Sequence, residues 1–356
     1  MDSSETLQYR LHNQQLLEAM FKEPNQLLSW LGAVQAQDYP GAKWSLGLRL
    51  LESTDFLIEK SIRKKEIVRT WLMRGTLHFV AASDVRWMLT LLAPRIIARN
   101  ARRYRELGLD ESTLARSNEI LDGVLQDREE LSRTELLKIL NKNGISTLGQ
   151  RAAYILQRAS LDGLICQNVT TRNNPTYQSL DFLPESKAMK PKDALRELAK
   201  RYFTTRGPAT LKDFVWWSGL RMADARTGLE GVMSDLVPET IDSQTYWRIP
   251  STKAGLDHSP HVHLLPSFDE FLISYKDRRA SLDTPAAQKV AVGNRFKNTI
   301  AIDGRVVGTW KRDLKKNKVT ITTKLFRKLN SLENNALKIA ERRFVEFYTR
   351  SFDHIK

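Results

Sequence analysis

Two glutamines one residue apart, Gln35 and Gln37 in LGAVQAQDYPG, are the side chains whose type and spacing suggest chemistry. On a helix, positions two apart point about 200° away from each other and cannot act together. In an extended segment they share a face, and Ala36 turns away. Leu27, Leu28, Trp30, Leu31 and Val34 fall at helical spacing, and Pro40 disfavours helix at Tyr39, so that helix is expected to end near Val34. Both amides would then project side by side beyond it. Neutral amides can grip a base edge, orient a water or stabilise positive charge through their carbonyl oxygens, but they cannot take a proton strongly. Such a pair suits a reaction whose leaving group is already activated. Cleavage of the N-glycosidic bond of a cationic N7-alkylpurine is one: the base departs neutral, the sugar becomes oxocarbenium-like, and the protein mainly positions water and balances charge. The plainer reading of the pair is surface or capping groups at a helix end.

Other candidates carry less. His258, His261 and His263 cluster in DHSPHVHLL, where His-x-His on a strand turns both rings to one face. No acidic or thiol ligand stands at a usual spacing, so a surface or DNA-facing role is preferred and no metal is expected. There is neither a phosphate-cradling glycine loop nor a nucleophile elbow, and no cofactor is implied. Cys166, the single cysteine, can form no internal disulfide and reads as core filler. The net charge of +15 points to a polyanionic partner, most often nucleic acid. Arg95, Arg99, Arg102, Arg103 and Arg105 crowd one helical stretch, while Lys311, Arg312, Lys315, Lys316 and Lys318 crowd one hairpin. A single run of charge is usually a solvated face. Two runs beside DNA-binding-like modules favour phosphate contact, which reads no bases.

The elements that must position these residues recur along the chain. After a helix near 54–66, IVRTWLMRGTLHFV reads as a hairpin around Gly75, with Arg74, Thr76 and His78 on one face. Ser83 is expected to cap the next helix, which Pro94 ends or kinks. Helices near 112–127 and 132–142, the second opened by a Ser132/Glu135 capping box, and a third in TLGQRAAYILQRASLDG precede two strand-like runs. Residues 191–250 repeat the order. Three helices and a hairpin form the winged-helix plan. The chain is read as α+β: a first winged-helix module over 1–108 with the glutamines, a second over 109–186, a third over 187–256, and a β-barrel-like C-terminal domain over 257–356. In that last domain Asp303-Gly304 makes a hairpin turn, Thr284 to Ala291 form a loop, and a helix over 332–350 closes the barrel. At 356 residues and 41% hydrophobic content the chain supports several cores. Without a membrane-length apolar run or a signal peptide, it is expected to be soluble and cytoplasmic.

The runs VQAQDYPGAKWSLGLR, TWLMRGTLHFV, RGPATLKDFVWWSGL, LLPSFDEFLISYKDR and AIDGRVVGTWKR resemble the AlkZ-like winged-helix DNA glycosylases, over nearly the whole chain from about residue 10. The resemblance implies tandem winged helices in a C-shaped, positively charged channel, with a β-rich C-terminal domain. It also implies excision of N7-alkylated purines from double-stranded DNA and, in some members, unhooking of interstrand crosslinks. The family's catalytic element is Gln, an aliphatic residue, then Gln or Asp, which falls on Gln35 and Gln37; the YcaQ branch carries Asp at the second position, and this chain departs from it. A carboxylate there polarises water more strongly, so heavier reliance on the substrate's cationic character is expected, with simple adducts ahead of crosslinks. Gln35 and Gln37 would position water and stabilise the sugar cation. Arg74 and His78 would contact phosphate or lesion, with Asp38 ranked below because it faces the other way. Trp44 is a stacking candidate whose plainer role is core packing. Arg99, Arg102, Arg103, Lys311 and Arg312 are candidate DNA contacts, and Trp216 and Trp217 are left to the core of the third module. No lysine in the motif suggests a Schiff base, so a monofunctional, cofactor-free monomer is expected. The rival reading is a non-catalytic winged-helix DNA-binding protein or transcriptional regulator, since fold alone never decides function.

Overall fold

The computed structural model describes residues 1–350 apart from 172–173, 184–188, 242, 251–258, 294 and 316–317, so His258 and Lys316 lie outside the described residues. Pro24 opens the helix Pro24–Leu31, whose buried face is Leu27, Leu28 and Leu31. Gly32, at φ 81°, ends that helix earlier than the expected Val34, because glycine enters this region without a Cβ penalty. Val34–Gln35 then form a short strand on one edge of a six-stranded sheet. Beside it lie Leu77–Ala81 and Ile67–Trp71, the hairpin read from the sequence. A second hairpin, Ile165–Thr171 and Asn174–Ser179, joins through the pairing Arg69↔Gln167, and Leu131–Ser132 completes the far edge. Pro40, read as a breaker, instead sits in the first turn of a helix, Tyr39–Gly47. That position suits its fixed φ and missing N–H.

Other local readings divide in the same way. Ser132 and Glu135 form the expected capping box. Ser83 does not cap: a 3-10 turn over Ala82–Asp84 leads into the helix Val85–Glu106, which runs through Pro94 without ending. Thr284–Val290 is a helix rather than a loop, capped by Asp283 with Pro285 in its first turn. The Asp303-Gly304 turn holds, both residues at positive φ (49° and 80°), as a two-residue hairpin requires.

The expected barrel is an open sheet among the described residues. Its strands Val262–Leu265, Thr299–Ile302, Arg305–Lys315 and Lys318–Leu325 pair in chain order, all antiparallel. The final helix Ser331–Thr349 packs on it, and Phe344 and Phe347 meet Trp44 edge-on. One core therefore runs from Leu7 through Ala81 and on through the C-terminal sheet and helix. A second core joins the helix Val85–Glu106 to helices of 191–230, and a third lies among residues 104–177.

Candidate active site

The segment leaving Gly32 alternates. Val34 and Ala36 are fully buried in the core, while Gln35 and Gln37 lie on the other side, Gln35 at 8% exposure and Gln37 exposed. Backbone bonds pin the segment: the Ala36 N–H donates to the Leu77 carbonyl at 2.7 Å, and the Ala36 carbonyl accepts from Arg69 Nε and Nη2 at 3.0 and 2.8 Å. Burial lowers the Arg69 pKa to about 10, still well above neutrality, so its charge persists.

The amide oxygens face the hairpin turn Met73–Gly75. Gln35 Oε1 accepts from Arg74 Nη2 at 2.9 Å, and Gln37 Oε1 accepts from the Leu77 N–H at 3.3 Å. Both partners are donors only, which fixes which end of each amide is oxygen. Arg74 also donates through Nη1 to the Trp217 carbonyl. Its own backbone is left-handed at φ 58°, a conformation that non-glycine residues rarely adopt. The turn is held from behind, where Arg99 Nη2 donates to the Arg74 carbonyl and Gln157 Nε2 to the Gly75 carbonyl.

A buried ion pair lies behind Gln35. Glu270 and Arg206 are both fully buried, and Glu270 Oε2 accepts from Arg206 Nη2 at 2.8 Å, Trp217 Nε1 at 2.9 Å and Ser274 Oγ at 2.7 Å. Glu270 Oε1 accepts from the Gln35 backbone N–H at 2.9 Å. Burial alone would raise this carboxyl's pKa; the Arg206 charge and these hydrogen bonds outweigh it and hold the pKa well below the usual range. Glu270 and Arg206 were not singled out in the sequence, although a carboxylate inside the apolar run FDEFLIS was a signal: a buried charge must be paired.

A cavity of about 590 Å³ opens at Gln35, lined by Arg74, Thr76, Trp216, Phe268, Arg278 and Phe296 among others. Arg278 lies over the Trp216 and Phe296 rings, 5.2 Å from each centroid. Trp216 is therefore not a core residue as expected: it is 43% exposed and forms a wall, while Trp217 is fully buried. A second cavity of about 520 Å³, along the helix Val85–Glu106, contains neither glutamine.

The structure redraws several other expectations. Trp44 is 1% exposed, donates to the Leu264 carbonyl at 2.7 Å and cannot stack on a lesion. His78 pairs across the strands with Gln35 but is fully buried, its Nδ1 2.9 Å from the Thr76 carbonyl, so it touches neither lesion nor phosphate. Burial, then the Arg74 charge, pushes its pKa down to about 4. Asp38 shares a small pocket with Gln35 and meets a partner: both carboxylate oxygens accept from Arg312 Nη2 at 2.7 Å. Arg312 is thus spent inside the protein. Arg102 and Arg103 share Glu106 at 2.8 and 2.7 Å, and Lys311 is exposed. His263 is buried against the Leu16 carbonyl at 2.8 Å rather than facing DNA.

Gln35 at a cavity, on the edge of a sheet shared by two hairpins, with Gln37 exposed just beyond it, coincides with a match to a known family. The model of the AlkZ-like DNA glycosylases fits residues 28–347, and the chain belongs to that family. It is 24% identical over 323 residues to an interstrand DNA cross-link repair glycosylase of Streptomyces sahachiroi, covering 83% of this chain and 85% of that one. The solved structure of Streptomyces sahachiroi DNA glycosylase AlkZ shares the fold, with a TM-score of 0.77 at 20% identity over 98% of this chain and 97% of the other.

Proposed function

We propose that this DNA glycosylase hydrolyses the N-glycosidic bond of N7-alkylated purines in double-stranded DNA and leaves an abasic site. The observation that carries the reading is the lining of the larger cavity: beside Gln35 stand arginines, aromatics, Thr76 and Ser267, with no Asp, Glu, His, Lys or Cys among the described residues, while Asp38, in a small neighbouring pocket, is bound by Arg312. A site without a general base suits a leaving group that needs no proton. Water forms a bond to the sugar C1′, the C–N bond breaks, and its electron pair neutralises the cationic purine; the proton from water passes to solvent. Gln35, its oxygen engaged by Arg74, holds water through its Nε2 donors. Gln37 is more open, and the second lone pair of its oxygen accepts from that water.

Two hairpins that each follow helices, and a third unit of helices Pro191–Arg206, Leu211–Ser218 and Met222–Glu230 before the hairpin Val237–Ile241/Gln244–Arg248, support the winged-helix reading, and the four expected modules, 1–108, 109–186, 187–256 and 257–356, stay as a proposal. The net charge of +15 supports a duplex DNA partner. Unhooking of interstrand crosslinks is the extension suggested by the Streptomyces relative's name. The test is incubation with duplex DNA carrying N7-methylguanine. Release of the base by the wild type and not by the Gln35→Ala/Gln37→Ala double variant is expected. Equal release by both would place the catalysis on residues other than the glutamines, and none by either returns the chain to the non-catalytic DNA-binding reading.

A further inference from the structure

Gln35 is gripped from two sides, and the grip behind it comes from residues that never reach the cavity. Arg206 spends all five of its N–H donors: Nη1 on the Leu31 carbonyl and Thr205 Oγ1, Nη2 on the Ala33 carbonyl and Glu270, and Nε on Ser274 Oγ. Glu270 adds the bond to the Gln35 N–H. One ion pair thus holds the backbone at residues 31, 33 and 35, alternate positions leading up to the catalytic amide. In front, a loop of bonds closes: Gln35 Oε1 to Arg74, Arg74 to the Trp217 carbonyl, the Trp217 indole to Glu270, and Glu270 back to Gln35.

Stability alone does not account for this arrangement. Desolvating two charges costs about as much as their attraction returns, and apolar replacements of similar volume are often neutral or better. What an ion pair with directed hydrogen bonds adds is position. A displacement of about 1 Å at a reacting group costs on the order of a hundredfold in rate. We infer that Glu270, backed by Arg206, is a positioning residue for glycosidic hydrolysis: its ionised carboxylate sets the Gln35 backbone so that the amide meets the sugar. This rests on the proposed hydrolysis at Gln35.

The test compares Glu270→Asp and Glu270→Gln with the wild type by single-turnover release of N7-methylguanine, by affinity for the same duplex and by thermal midpoint. Asp keeps the charge opposite Arg206, and with it the fold, but is one methylene too short to reach the Gln35 N–H as well. The expected result is a rate loss of about tenfold or more for Glu270→Asp with DNA affinity within about threefold of wild type. Glu270→Gln, which keeps the length to the Gln35 N–H but removes the charge opposite Arg206, should also lose about tenfold or more in rate. A merely structural ion pair would be rescued by Asp, so Glu270→Asp at near wild-type rate overturns the inference. So does a loss of DNA affinity in proportion to rate, or a Glu270→Gln variant at near wild-type rate. A wild type that releases no base refutes the hydrolysis itself, a separate outcome.

Discussion

Gln35 and Gln37 differ in what surrounds them, and under the proposed hydrolysis the difference gives them different work. Gln35 is buried and clamped at both its backbone and its side chain, whereas Gln37 is exposed and held by one main-chain N–H at 3.3 Å. The nearest histidine is silent, because burial holds the His78 pKa at about 4 and leaves the ring neutral from about pH 5 upward. Single-turnover release of N7-methylguanine should therefore be flat from about pH 5 to 7, where an unperturbed imidazole titrates near 6.5. Gln37→Asp supplies the missing base. Its rate on a substrate with a poorer leaving group should rise by roughly tenfold or more at pH 7 and fall as acid protonates the new carboxylate. A wild-type inflection near pH 6.5, or an Asp variant no faster than wild type, would contradict this division of labour. The alternation of the pair was legible because the apolar Ala36 separates the two amides, although Gly32 and not Pro40 ends the helix before them. The burial of His78 was not, since alternation places a ring on a face without saying what covers that face.

At the scale of elements, the helix Tyr39–Gly47 links the glutamines to the C-terminal region. Its far end packs so closely on the last helix that a Cβ at Gly47 would lie 2.5 Å from Phe347. That ring cannot step aside, since it sits edge-on to Trp44 and Tyr348 with centroids 5.2 and 5.0 Å away. Gly47→Ala should cost about 1–3 kcal/mol, the usual range for overpacking. Gly123 is the control: it lies exposed within the helix Glu111–Gln126, and a Cβ there meets nothing within 4 Å. Gly123→Ala should stabilise by up to about 1 kcal/mol. Denaturant midpoints read both, and a tolerated Gly47→Ala would mean that the two helices slide freely. Signals confined to a few residues, the Ser132/Glu135 box and the Asp303-Gly304 turn, were readable. Pro40 was misjudged, and Thr284 to Ala291 taken for a loop, because a proline that stops one helix also starts another, and only the following residues decide which.

At the scale of the whole molecule, the sequence shows how much charge there is but not where it is spent. Arg206, Arg69 and Arg312 are committed to Glu270, to Gln167 and the Ala36 carbonyl, and to Asp38, contacts that span 33 to 274 residues and leave no local pattern. Counting the +15 as one uniform DNA-binding surface would therefore overstate it. Arg102 and Arg103 share one carboxylate, and Arg99 serves the hairpin turn beneath the site. Lys311, exposed, and Arg95, exposed on the helix behind that turn, are cations whose charge is open to a phosphate. Each phosphate contact releases counterions and steepens the fall of affinity with salt by about 0.9 in the log–log slope. Lys311→Gln and Arg95→Gln should each flatten the slope for duplex DNA by about that much, while Arg312→Gln leaves it nearly unchanged and loosens the Asp38 turn instead. The measurement is DNA affinity across a salt series for the three variants. Equal flattening by Arg312→Gln would show that its pairing with Asp38 opens on binding and that the cation belongs to the DNA after all.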